Sequence, residues 1–317
     1  MPPDRARIAV SALLLAVAVG ARAADADYSA ALDKLWDFDA PAVSEQRFRA
    51  ERDRFAAHTR EALEAATQIA RALSLQRRFG QADATLDEVA RDLDAAPARI
   101  RVRYLLERGR TRNSSGEPAK AVPMFMDALR ASDADTLGGA AFYRIDALHM
   151  LGIAAPADAR IEWDRKALAA AEAASDERAR GWRGSLLHNL GWAEHDRGNF
   201  AAALDCWQRV LALREAAGDA GGIRIAKWTV ARGLRSLGRL DEAEAIQHAL
   251  ATETDRAQAS DGYIYEELAE IALARNDAAS ARRFAAKAHA LLKDDADLAA
   301  NDADRLARLA RIGGVAP

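Results

Sequence analysis

A short pattern recurs along the sequence at intervals of about 40 residues, within the range typical of repeat proteins, and it constrains the fold more than any other feature. Residues 187–191 read LHNLG and residues 148–152 read LHMLG, a spacing of 39. The pattern G-x-[FL]-x-x-A spans residues 198–203 and returns at 238–243. Sequences with such a period fold as stacked supersecondary units. The spacing therefore predicts a solenoid of two-helix units in place of two globular domains.

The composition favours helices throughout. Ala, Leu, Arg and Glu are abundant and are strong helix formers, whereas aromatic residues make up only 6%. Half of the residues are hydrophobic, too many for a disordered protein, and β-branched and aromatic residues are too few for an all-β fold. Lys and Arg number 45 against 48 Asp and Glu, a net charge of −3. The composition therefore predicts an all-α protein without the basic footprint of a nucleic-acid binder.

The residue types within one unit fit the packing of two helices. The small residue Gly191 allows a neighbouring helix to approach closely, and Ala203 does the same for the second helix of the unit. Trp207 and Val210 follow Ala203 at i+4 and i+7, so the three residues lie on one face of that helix. Gly198 stands where a tight turn joins the two helices.

This arrangement resembles the tetratricopeptide repeat (TPR), in a longer form than the usual repeat of about 34 residues. The resemblance covers roughly residues 60–293 and is carried most clearly by Leu187, Leu190, Gly191, Ala203, Trp207 and Val210. It implies an all-α fold, a right-handed TPR superhelix, which is an α-solenoid of helix-turn-helix repeats.

The sequence is expected to contain four segments. They are a signal peptide at residues 1–23, N-terminal capping helices at 24–58, a TPR array of about six repeats at 59–293, and a C-terminal capping helix and tail at 294–317. The repeat near residues 141–175 is degenerate, because Trp163 follows Gly152 at i+11, whereas Trp207 follows Gly191 at i+16. Pro156 requires the first helix of that repeat to end early.

Residues 1–23 have the pattern of a secretory signal. Arg5 and Arg7 precede an apolar run at residues 8–21, and a cleavage pattern Ala-Arg-Ala ends at residue 23. The run is shorter than the about 20 residues of a transmembrane helix, and the alternative interpretation is an uncleaved N-terminal membrane anchor. We expect an exported protein, periplasmic in location. Its single cysteine, Cys206, cannot form an internal disulfide and is interpreted as a core residue.

Motifs that carry chemistry are absent from the sequence. It has no G-x-x-x-x-G-K-[ST] phosphate loop, no G-x-G-x-x-G, no G-x-S-x-G and no H-E-x-x-H. The sequence therefore predicts a protein that is not an enzyme, has no cofactor and takes no small-molecule substrate.

The resemblance assigns the partner-binding residues, because the first helix of each TPR unit lines a concave groove. Large amphipathic rings and guanidinium groups are enriched at binding hot spots, and Arg can hold a carboxylate through two hydrogen bonds. The predicted ligand is a protein or peptide, with an acidic or C-terminal segment favoured. The groove positions are Arg110, Asn113, His149, His188, Trp192, His195, Trp228, Arg232, Arg235, Tyr263 and Glu266.

Each of these assignments has an alternative. Trp192 and Trp228 could pack between first helices, and the arginines could form a solvated face. His188 and His195 lie two turns apart on one helix face and could join His149 in a zinc site, although ordinary groove or core histidines are the favoured interpretation. The Lys/Asn/Arg set of the dicarboxylate clamp found in the family is absent, so that specificity is not implied.

The sequence thus favours a non-catalytic TPR scaffold of the cell envelope that binds a partner in its concave groove. The second hypothesis is a structural module that self-associates or docks on an envelope complex through its convex face. The third, an enzyme or metal-binding protein, rests only on the histidines.

Overall fold

A computed structural model describes residues 28–134, 139–295, 298 and 302–316, and these residues form helices and no strand. The predicted signal peptide lies outside the described residues. None of the helices described combines the length and apolar composition needed to cross a membrane. The helices are α1 (28–33), α2 (Pro41–Arg52), α3 (Arg60–Leu75), α4 (Phe79–Ala90), α5 (Ala98–Ser114), α6 (Pro118–Ser132), α7 (Ala140–Ala154), α8 (Ala157–Ala173), α9 (Glu177–Arg180), α10 (Arg183–Asp196), α11 (Phe200–Ala217), α12 (Ala220–Ser236), α13 (Leu240–Arg256), α14 (Gly262–Ala274), α15 (Ala278–Leu292) and α16 (Ala303–Gly313).

The protein divides into two compact units, with the boundary between Leu186 and Leu187. In the N-terminal unit, consecutive helices from α2 to α8 pack against one another, and α5 also contacts α3 and α7, the first helices of the neighbouring pairs. In the C-terminal unit the same succession runs from α11 to α16. The unit boundary falls inside the segment that the sequence assigns to a single array.

In three of the pairs described, a glycine in the second half of the first helix packs against a side chain of the second helix. At each glycine a Cβ atom would overlap this side chain, so the close approach requires the missing methyl group. The packed residue is the eighth of its helix in α6, α8 and α11. The pairs are Gly109 with Phe125, Gly152 with Asp164, and Gly191 with Trp207. The repeat that the sequence marks as degenerate thus has a carboxylate where the others have an aromatic ring.

The turns between paired helices use a left-handed residue. Gly116, Gly198 and Gly238 have φ of +87°, +80° and +73°, a region that glycine enters without steric penalty. Asn276 takes the same place before α15 with φ of +60°, which is tolerated because Asn is one of the few residues found there. The glycine turns predicted from the sequence are therefore present.

Both terminal segments cover first helices. In the N-terminal unit, the Ser29 hydroxyl donates to Glu64 Oε1 of α3 (2.5 Å) and lies 3.3 Å from the Tyr143 hydroxyl of α7. Residues 28–40 therefore cross several first helices and do not cover only the first repeat. In the C-terminal unit, α16 packs on α15 and its Leu309 is buried in the core that α14 and α15 share.

Candidate protein-binding surface

Three aromatic side chains follow one another along α10. The indole N–H of Trp192 donates a hydrogen bond to Nε2 of His188 at 3.1 Å, and the ring of His195 lies 5.7 Å from the Trp192 ring. Nε2 of His195 is 2.8 Å from the Ser236 hydroxyl of α12. The hydrogen bond from Trp192 requires His188 to carry its own proton on Nδ1, because only an unprotonated nitrogen accepts.

Trp192 also joins the first helices of two successive pairs. Its ring is 5.0 Å from the buried Trp207 ring and 6.4 Å from the Trp228 ring of α12. Trp228 in turn donates its indole N–H to the backbone carbonyl of Tyr263 in α14 at 3.1 Å. Trp192 and Trp228 are both half-buried. Each therefore has a packing role, as one interpretation of the sequence holds, and also keeps surface in contact with solvent.

Two arginines beside these rings share one buried carboxylate. Arg232 Nη1 lies 3.1 Å from Glu267 Oε2, and Arg235 Nε donates to Glu267 Oε1. The side chain of Glu267 is 1% exposed, whereas those of Arg232 and Arg235 are 30% and 17% exposed. The groove positions of the repeat select the neighbouring Glu266, and Glu267 stands one residue outside the predicted set.

At neutral pH the positive charge beside these rings is carried by arginines and not by the histidines. Burial, followed by the charge of Arg214, lowers the pKa of His188. Burial, followed by the charge of Arg232, lowers the pKa of His195. Both imidazoles are therefore neutral at pH 7, and two guanidinium groups face a single carboxylate. We call this set the aromatic–arginine surface; its members are His188, Trp192, His195, Trp228, Arg232 and Arg235.

Two further predicted residues lie under the C-terminal helix. Glu266 is buried, and its two carboxylate oxygens accept hydrogen bonds from Arg305 of α16 at 2.7 and 2.6 Å. The Arg305 guanidinium lies 5.1 Å from the centre of the Tyr263 ring, and the Tyr263 hydroxyl donates to Asp295 at 3.3 Å. Glu266 and Tyr263 thus already have partners within the protein.

The remaining predicted residues, Arg110, Asn113 and His149, belong to the N-terminal unit. Arg110 pairs with Glu107 at 2.6 Å and with Asp146. The backbone carbonyl of Asn113 accepts from Gly116 in the turn after α5. His149 packs 5.1 Å from the Trp182 ring, and burial lowers the pKa of His149 to about 4. The structure therefore does not place these three residues in the aromatic–arginine surface.

The histidines give no geometric support for a metal site. Among the described residues, no group of three or more His, Cys, Asp or Glu side chains has an arrangement that could hold a metal ion. His188 and His195 each pack against Trp192, which lies between them on α10. Cys206 is buried in α11.

Comparison with known proteins agrees with the geometry. Residues 184–217 match the family model of the tetratricopeptide repeat, and these residues include the Gly191–Trp207 contact. A comparison with curated protein sequences finds no match. The molecule is therefore a helical-repeat protein with a tetratricopeptide repeat at residues 184–217.

Solved structures of TPR proteins share its fold. The apo form of RapI has a TM-score of 0.69 at 10% identity, over 92% of this protein and 80% of RapI. A tetratricopeptide repeat protein from Parabacteroides merdae has a TM-score of 0.52 at 15% identity, over 90% of this protein and 98% of that one. The TPR-like repeats of a putative kinesin light chain from Podosopora anserina give 0.51 at 17% identity, over 63% and 98%. This TPR fold is typical of proteins that bind other proteins and is generally non-catalytic.

Proposed function

We propose that the protein is a non-catalytic scaffold of the cell envelope that binds a protein or peptide partner on the aromatic–arginine surface. The observation that carries this proposal is the combination of two half-buried tryptophans with two arginines that share one carboxylate. Trp and Arg are the residues most enriched at binding hot spots. Here internal packing fixes their positions, so a partner does not have to order them on binding.

The charge of the surface favours an acidic segment or the free C-terminus of a partner. Glu267 neutralises one of the two guanidinium groups, and Arg232 remains 30% exposed. A carboxylate from a partner can therefore form a charge-assisted hydrogen bond with Arg232. Because His188 and His195 are neutral, this attraction depends on the arginines alone between pH 7 and pH 8.

The test is crosslinking and capture by the full-length protein from an envelope extract, followed by mass spectrometry. The variant Arg232→Gln removes the exposed charge and leaves Arg235 to neutralise Glu267, so its stability should stay close to that of the wild type. We expect it to lose partners that the wild type captures. The same pair of proteins is titrated with a fluorescent acidic peptide that has either a free or an amidated C-terminus, which separates recognition of the terminal carboxylate from recognition of acidic side chains.

A matched control lies on the same helix. Arg224 is in α12, its side chain is 46% exposed, and its nearest anion is Glu253 at 3.8 Å. Arg224→Gln removes one positive charge outside the aromatic–arginine surface and should capture the wild-type set of partners. If the wild type, Arg232→Gln and Arg224→Gln all capture the same proteins, the surface is not the binding site.

A further inference from the structure

The N-terminal unit contains a cavity of about 260 Å³ on the face of its first helices. Residues 28–40 form one wall, α3, α5 and α7 form the base, and Arg178 and Trp182 close another side. Aromatic rings provide much of the wall, including those of Trp36, Phe142 and Trp182. The cavity has no role in the function proposed above, and it includes none of the residues of the aromatic–arginine surface.

Two buried charged side chains in this cavity have unused hydrogen-bonding atoms of opposite kinds. Arg103 donates from Nε to the Tyr143 hydroxyl at 2.8 Å and pairs with Glu64 at 2.9 Å, but its Nη2 has no partner. Glu107 pairs with Arg110 through Oε1, but its Oε2 has no partner. Both side chains are almost fully buried. A buried polar atom without a partner costs about 1–3 kcal/mol and more when charged, so the cavity favours an occupant that supplies both an acceptor and a donor.

Two further donors belong to residues that line the cavity. The Arg71 guanidinium lies 5.3 Å from the Trp36 ring and 5.6 Å from the Phe38 ring, and its closest ion-pair contact is Glu107 Oε1 at 3.9 Å, beyond hydrogen-bond distance. Burial, followed by the charge of Arg110, lowers the pKa of Arg71, as expected for a cation that is poorly compensated. The indole nitrogen of Trp182 is also buried without a partner. Among these atoms, donors without a partner therefore outnumber acceptors without a partner.

The positive and negative charges of the residues that line the cavity are equal in number. They are three arginines and three acidic residues, namely Arg71, Arg103, Arg178, Asp33, Glu107 and Asp146. An occupant with a net charge would leave one charge uncompensated in a buried site, which is costly. An occupant that carries one positive and one negative group keeps the balance. Its size is also limited, because a volume of about 260 Å³ is slightly below the about 300–1,000 Å³ of most small-molecule sites.

We propose that this cavity binds a free α-amino acid with an apolar side chain. Its carboxylate is held by Arg71 and Arg103, its ammonium group donates to Glu107, and its side chain packs on the aromatic wall. A peptide C-terminus presents the same carboxylate, but its backbone amide has no positive charge to place against Glu107. The site therefore gives the protein a small-molecule ligand, whereas the sequence predicts a protein or peptide ligand alone.

The test is isothermal titration of the full-length protein with L-leucine and L-phenylalanine, compared with N-acetyl-leucine and leucinamide. We expect binding of at least one free amino acid, and affinity at least about tenfold weaker for both derivatives, because each lacks one charged group. Arg71→Met keeps the stacked stem but removes the donors, and it should abolish binding without loss of helicity. Arg101→Met is the control, because Arg101 is an exposed arginine of α5 that does not line the cavity.

Four results would overturn this assignment. They are the absence of heat with both L-leucine and L-phenylalanine at millimolar concentration, equal binding by wild type and Arg71→Met, equal loss in Arg101→Met, and tighter binding of N-acetyl-leucine than of leucine. The last result would identify a peptide C-terminus as the occupant.

Discussion

Replacement of Asp164 with Asn should stabilise the N-terminal unit at pH 8 and give no gain in stability at pH 4. Asp164 is 3% exposed and packs against Gly152, at the position where α6 and α11 place an aromatic ring. Asn has nearly the same shape and no charge, so the substitution removes the ionised form without creating a cavity.

The magnitude follows from the protonation of this carboxyl group. Burial raises the pKa of Asp164 from 3.8 to about 6, against a smaller lowering by Arg160. The folded protein therefore keeps a proton on Asp164 that the unfolded state releases. The contribution of this proton to the free energy of unfolding is fully present below about pH 4 and is lost as the pH rises through about 6. At 1.36 kcal/mol per pKa unit the difference corresponds to about 3 kcal/mol. Since the Asn amide also needs hydrogen bonds, we expect a gain of about 2 kcal/mol at pH 8.

The assay is urea unfolding followed by circular dichroism at both pH values. Asp127→Asn is the control, because that side chain is 49% exposed and should change the free energy of unfolding by less than about 0.5 kcal/mol. Equal gains for Asp164→Asn at pH 4 and pH 8, or a loss at pH 8, would refute the explanation that a buried negative charge weakens this helix pair.

Three other substitutions probe the packing and the ion pairs. Gly191→Ala should cost about 1–3 kcal/mol in thermal unfolding, because its Cβ would overlap the Trp207 ring; an unchanged Tm would contradict this contact. Arg305→Ala should cost about 2–3 kcal/mol in urea unfolding, because it leaves the buried Glu266 without its two hydrogen bonds. A loss below about 0.5 kcal/mol would argue against the stabilisation of Glu266 by α16. Burial lowers the pKa of His149 to about 4, so unfolding takes up a proton between about pH 6.5 and pH 4, and the wild type should lose stability as the pH falls through this range. His149→Phe should remove this loss. The same dependence of the urea midpoint on pH in both proteins would contradict it.

Much of the fold could be predicted from the sequence because repeat units rely on local signals. The turn glycines and the Gly191–Trp207 spacing lie within one unit, so their pattern is visible in a single short stretch of sequence. The exchange of an aromatic residue for Asp164 was harder to find. The turn before α8 is shorter, so the packed residue stands at i+12 from its glycine in place of i+16, although it is still the eighth residue of its helix.

The candidate surface could be predicted only in part. Trp192, Trp228 and the two arginines follow from the first-helix positions of the repeat. The pairing of Glu266 with Arg305 joins residues 39 positions apart through a helix that is not a repeat. Likewise, the contact of Ser29 with Tyr143 spans 114 positions. Periodicity carries no information about such contacts, so neither the covering of Glu266 nor the cavity of the N-terminal unit was predicted.

The three tryptophans of the C-terminal unit have an optical consequence. Trp192 lies 5.0 Å from Trp207 and 6.4 Å from Trp228, distances at which excited indoles transfer energy to one another before they emit light. Their fluorescence is therefore a shared signal, and we expect a molecule that binds at Trp228 to change the emission of Trp192 as well. The protein has its own label-free reporter at the surface where we expect a partner to bind.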